Sequence, residues 1–244
     1  MILCGFFIAL TFFIIYSIGL PLTFFFETEN FENSEPSFCD LYFLGFCVLS
    51  LCYSYVSIIL PLNMVALLVS LLLTLLVIVH FYKKKLDHYL IYKRLTLYDL
   101  TVLSIVVFGV IFISGYGVRN YDTGLYHTQF IMWIKEYVVI PGLGNLHGRF
   151  AFNSLYFPIN AMFSFDLNVS DMEKSTIYPL NATSFIVMFF WEYALFKKLF
   201  YEKNWSQVIL VFFIVVLIST LLLKHIALIW LFDLILCINW IYLM

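Results

Sequence analysis

The chain has 244 residues, of which 64% are hydrophobic and only 11% charged, with a net charge of −2 and a mean hydropathy of +0.99. Soluble domains carry about 25% charged residues, so a fold dissolved in water could not hide this much apolar surface, and lipid is the expected solvent. The nearly balanced charge excludes whole-molecule attraction to nucleic acid, and no nucleic-acid partner is expected.

The first predicted element is the apolar run 2–26, long enough to cross ~30 Å of hydrocarbon. It lacks the basic leader and small-residue cleavage site of a signal peptide, so it reads as a retained helix. An acidic break, ETENFENSEPSFCD, follows. Residues 41–82 are then almost unbroken apolar sequence, too long for one crossing. Pro61 supplies the turn, giving spans 41–60 and 62–82. A fourth span is expected at 98–116, and three more at 179–198, 205–223 and 225–244. Continuous runs of this length predict helices, because each then satisfies its own backbone in lipid. The expected fold is an all-α integral membrane protein with about seven transmembrane helices. Residues 1–116 form an N-terminal four-helix membrane region, 117–178 one long outer loop, and 179–244 a C-terminal membrane region. The sequence stops inside an apolar run, which reads as a truncated or short member of a longer design.

Basic loops set the expected orientation. Residues 83–94, KKKLDHYLIYKR, and 197–203, KKLFYEK, carry the Lys and Arg residues of a cytoplasmic face. Two spans separate them, so 117–178 falls on the opposite face. The cysteines Cys4, Cys39, Cys47, Cys52 and Cys237 show no CxxC spacing and read as apolar packing residues.

The outer loop concentrates the polar residues. Residues 124–138, GLYHTQFIMWIKEYV, predict an amphipathic helix, with Tyr126, Phe130, Trp133, Ile134 and Tyr137 on one face and Thr128, Lys135 and Glu136 on another. It lies along the membrane surface or packs on neighbouring spans. Asp122, just before it, reads either as an N-cap or as a carboxylate poised as general base or divalent-cation ligand. His127 is a second candidate for the same catalytic site, or a packing residue.

Pro141 ends the helix, and PGLGNLHGR follows. Gly142, Gly144 and Gly148 allow close backbone approach. Such a turn can form an anion nest, and Arg149 can grip a phosphate in a two-pronged fork. Asn145, His147 and Asn153 add polar groups suited to sugar or phosphate. GKS/T is missing, so this is not a P-loop. The alternative is a tight connection between two short elements. In the last span Asp233 is an intramembrane charge, and such residues mark functional sites by default. Asp40 and Asp99 sit at span ends and need no special role.

The stretch YDTGLYHTQFIMWIKEYVVIPGLGNLHGRFAFNS resembles a segment in a family of uncharacterised bacterial multi-pass membrane proteins, in which Y-D-x-x-x-Y-H leads to P-G-L-G-N-L-H-x-R. More distantly, the layout resembles the GT-C fold membrane glycosyltransferases. That resemblance implies a polyprenyl-phosphate-linked sugar as partner, an outer-loop acidic residue matched by Asp122, and a place in the bacterial inner (cytoplasmic) membrane, in assembly of an envelope polysaccharide or glycolipid. Here four expected spans precede the loop instead of one, and there is no DxD pair near Asp122. Three functions follow as expectations: glycosyl transfer, transport of a polysaccharide or lipid-linked substrate, and a noncatalytic scaffold.

Overall fold

The computed structural model describes residues 1–25, 37–82, 96–115, 127–146, 148, 155–168 and 174–201. The helices are α1 (Ile2–Gly19), followed by a 3₁₀ turn (Leu20–Phe25), α2 (Phe38–Ile59), α3 (Met64–Tyr82), α4 (Leu97–Ser114), α5 (Thr128–Glu136), α6 (Leu143–Leu146), α7 (Tyr156–Met162) and α8 (Pro179–Tyr201). The chain forms two compact units, Met1–Val187 and Met188–Met244. Of the second, the described part is the C-terminal stretch of α8, where the Phe190–Tyr193 and Phe196–Phe200 ring pairs follow the helical repeat.

The architecture is helical, as expected, with one addition. Strands β1 (Phe165–Asn168) and β2 (Lys174–Ile177) pair antiparallel, Phe165 opposite Ile177 and Asn168 opposite Lys174. Among the described residues, three helical stretches are long and apolar enough to cross a membrane: Ile2–Leu22, Phe38–Ile59 and Leu97–Ser114. The expected span 62–82 becomes α3, whose strongly apolar part is the shorter Val65–Val77. The expected span 179–198 becomes α8. The last two expected spans lie outside the described residues.

Two helix starts explain the acidic residues at span ends. Ser37 Oγ accepts from the Asp40 N–H at 3.3 Å, and the Ser37 N–H donates back to Asp40 Oδ2 at 2.8 Å. Thr96 and Asp99 repeat the arrangement at 3.2 and 2.9 Å. Each reciprocal box satisfies orphan N–H groups of a first turn, so Asp40 and Asp99 are structural.

Helices α1 and α2 run antiparallel and touch backbone to backbone. A Cβ at Gly19 would lie 1.9 Å from the Leu41 carbonyl oxygen, and one at Gly45 would lie 1.9 Å from that of Ile15. Lipid tails are as apolar as leucine, so helices in a bilayer associate by close packing, and small residues at the crossing permit it. Around the crossing Ile14, Ile15, Leu41 and Tyr42 are fully buried. Leu20 and Leu41 draw in Tyr16 and Val77 of α3, while Cys4, Ile8 and Ala182 gather Val110 and Ile111 of α4 and Ile186 of α8.

The C-terminus of α4 lies at the N-terminus of α1: a Cβ on Gly115 would approach the Met1 side chain at 3.5 Å, and one on Gly5 would meet Ile111 at 3.3 Å. The Phe165 ring stacks on Phe7 at 4.0 Å and 10°, bringing the hairpin's first residue to the same part of α1.

Gly109 of α4 meets no atom within 4 Å of its Cβ direction. The two glycine environments predict opposite effects. Gly45→Ala must push two backbones apart and should cost about 1–3 kcal/mol. Gly109→Ala should stabilise by up to about 1 kcal/mol, because a helical glycine loses more chain entropy on folding than alanine. Reversible unfolding in mixed micelles checks both signs.

Candidate functional site

The site begins with a missing proton. In a helix the Ser57 carbonyl would accept from the residue four positions on, which is Pro61, and proline has no N–H. The Val139 N–H fills the place, donating to the Ser57 carbonyl at 2.9 Å. Beside it the Leu62 N–H donates to the Ile134 carbonyl at 2.9 Å, itself one of the orphan carbonyls in the last turn of α5. The α2–α3 turn and the end of α5 thus complete each other's backbone.

This pairing shortens the expected helix. Pro141 was expected to end it, but α5 closes at Glu136, and Tyr137 is already extended. The chain then runs as a strap past the end of α2 towards Pro141. On the expected apolar face of α5, Phe130, Trp133 and Ile134 line a groove of about 660 Å³, within the usual range for small-molecule sites. Leu51, Tyr55 and Ile58 of α2 line it too, with Leu155 and Pro158. Ser54 and Ser57 also line it. Their hydroxyls donate to their own helix, to the Ser50 and Ser54 carbonyls at 2.7 and 2.8 Å, so the wall is largely apolar in effect.

One rim of the groove is the segment Val138–Gly144. Gly142 has φ +83°, a left-handed conformation that glycine adopts without the Cβ penalty. The Asn145 N–H closes the turn onto the Gly142 carbonyl at 2.8 Å. Gly144 is half-buried on the same rim; Asn145 and Gly148 are exposed. Of the predicted phosphate-binding group, the described residues therefore bring Gly142, Gly144 and Asn145 to one turn. Asp122, His147, Arg149, Asn153 and Asp233 lie outside the described residues.

His127 is half-buried, with its ring 5.6 Å from that of Phe157, and Phe130 meets the same ring edge-on at 4.9 Å. His127 is not among the groove's lining residues. Among the described residues no group of three His, Cys, Asp or Glu side chains could hold a metal ion.

The polar face of α5 is divided: Glu136 is exposed, whereas Lys135 and Thr128 bond to protein. The Lys135 ammonium donates to the Ser164 carbonyl at 3.2 Å, and the Tyr178 hydroxyl donates to Thr128 Oγ1 at 3.1 Å. Ile131, between them on the helix, is its buried residue.

Sequence reasoning also missed α7. Phe157, Ile159, Asn160, Ala161, Met162, Phe163 and Ser164 are all buried, and α7 packs on α2 and α5. Asn160 Oδ1 is buried with no hydrogen-bond partner among the described residues. Tyr156 donates its hydroxyl to Asn181 Oδ1. Burial, then the neighbouring Tyr178 and Tyr42, raise its pKa, so it stays a neutral donor beyond the range of an exposed tyrosine. Tyr42 joins the same seam through Thr183 Oγ1 at 2.9 Å and Ser184 Oγ at 3.1 Å. These hydroxyls fix the start of α8 against α2. Their only sequence signal is a set of hydroxyl residues scattered among apolar ones.

Tyr156→Phe leaves the Asn181 carbonyl oxygen without its donor and should cost about 1–3 kcal/mol. Adding Asn181→Leu to that variant should recover much of the loss, since removing both partners avoids an unpaired polar group. A double-mutant unfolding cycle reads the coupling, and simple additivity would contradict it.

A family model, described as Domain of unknown function (DUF8201), matches residues 1–240. Neither the curated proteins nor the solved structures contain a match to the chain.

Proposed function

The chain belongs to this family, and on that premise we propose that it is a membrane glycosyltransferase-like protein that uses a polyprenyl-phosphate-linked sugar in bacterial envelope polysaccharide or glycolipid assembly. The observation that carries the reading is the meeting of an apolar groove with the Gly142 turn on one rim. An amphiphile with a long hydrocarbon chain and a phosphate head needs that pairing: a greasy slot next to a turn whose backbone can approach an anion closely.

In this reading the carrier's chain lies between α2 and α5. Its phosphate sits at the turn formed by Gly142, Gly144 and Asn145, gripped by Arg149. Asp122 removes the proton from an acceptor hydroxyl as that oxygen attacks the sugar's anomeric carbon, and the carrier phosphate leaves. A divalent cation held by Asp122 would instead act by neutralising the phosphate. His147 and Asn153 orient the head group. The aqueous end of the reaction is on the face opposite the lysine-rich loops, which is the side that charge counting gives to the loop.

Asp122→Asn keeps the side chain's shape and removes its charge. Turnover of lipid-linked sugar by the purified variant should fall by about 100-fold or more, the usual contribution of a positioned general base. Unchanged turnover would remove Asp122 from the chemistry.

A further inference from the structure

The groove's walls run without a break into the surface that the spans turn outwards. Tyr55 and Ile58 line the groove and are 71% and 59% exposed. Ile59 and Leu60 continue that surface at the end of α2, and Val65 and Leu68 at the start of α3. On the other side the strap shows Val138, Val139 and Ile140, each more than two-fifths exposed. On a soluble protein a patch of this kind marks an interaction surface. On α2, which is long and apolar enough to cross a membrane, the partner is hydrocarbon. The strap shares its level, because the Val139 N–H is bonded to the last turn of α2.

We propose that the groove opens sideways into the bilayer, between the outward face of α2 and the 137–141 strap, and that a phospholipid acyl chain fills it when no other lipid is bound. This deepens the lipid-carrier reading and rests on it for the groove's purpose. The chemistry of the opening supports a chain in preference to a head group. The serine hydroxyls facing the groove are spent on their own helix, and the strap offers branched aliphatic side chains. A hydrocarbon chain gains by leaving neither wall bare, and it enters without shedding water. A polar ligand arriving from solution would find few partners between these walls. The carrier would enter by the same route, chain first, and displace the resident acyl chain.

Trp133 lines the groove and reports its occupant. The full-length protein is reconstituted in vesicles of phosphatidylcholine brominated along the acyl chains. The fluorescence difference between wild type and Trp133→Phe isolates Trp133 from the other tryptophans. Strong quenching of that difference by bromolipid, with weak quenching by aqueous acrylamide, is the expected result. Ser54→Phe and Ile58→Phe, tested separately, fill the slot and should each lower the bromolipid quenching about twofold or more. Strong acrylamide quenching with weak bromolipid quenching would overturn the proposal. So would undiminished bromolipid quenching in whichever filled variant keeps the wild-type circular dichroism. Adding polyprenyl phosphate should relieve the quenching. If bromolipid quenches but the carrier does not displace it, lateral entry stands and the glycosyl-transfer reading loses its substrate.

Discussion

Much of this site depends on one proton that proline lacks. A helix must hand its last carbonyls to some donor, and a buried one left unpaired is costly. Pro61 denies that donor to Ser57, and Val139 supplies it from a segment more than eighty residues further on. Leu62 repays the debt in kind to Ile134. An unpaired carbonyl in such surroundings costs about 1–3 kcal/mol even by protein standards. The pairing therefore determines where α5 stops, where the strap runs and which side chains face α2. The groove is the space left between those elements.

The rest of the first compact unit holds that arrangement from behind. The glycine crossing locks α1 to α2, so α2 is a fixed wall. The hydroxyl seam from Tyr42 through Thr183 and Ser184, with Tyr156 on Asn181, fixes the start of α8. Between them α7 carries Phe157, on which both His127 and Phe130 rest. In this way a buried tier of ordinary packing contacts aims α5 at the groove.

The long apolar helices were legible because their signal is bulk hydropathy over about twenty residues, and the turn at Pro61 because proline has one dominant backbone effect. The amphipathic helix was legible as an element, while its partner was not. A 3.6-residue repeat tells which residues share a face, but not what that face meets. Lys135 illustrates this: it shares the polar face with the exposed Glu136, yet its ammonium reaches the Ser164 carbonyl. Segment 155–165 was invisible for another reason. It is too short to look like a span, and its burial comes from α2 and α5, far away in sequence. The β1–β2 hairpin lacks both strong alternation and a two-residue glycine turn, the marks by which hairpins are read. Within the candidate site, Gly142 was read for its backbone freedom and does adopt a positive φ. The groove beside it belongs to tertiary packing, which no local motif encodes.

Amide hydrogen exchange on the full-length protein in lipid nanodiscs probes the central pairing most directly. The Val139 and Leu62 N–H groups should exchange much more slowly than those of Val138 and Ile140, and Pro61→Ala, which offers Ser57 a local donor, should speed exchange at Val139. Free exchange at Val139 and Leu62 in the unaltered chain would mean that the strap is not tied to α2, and the groove would lose its second wall.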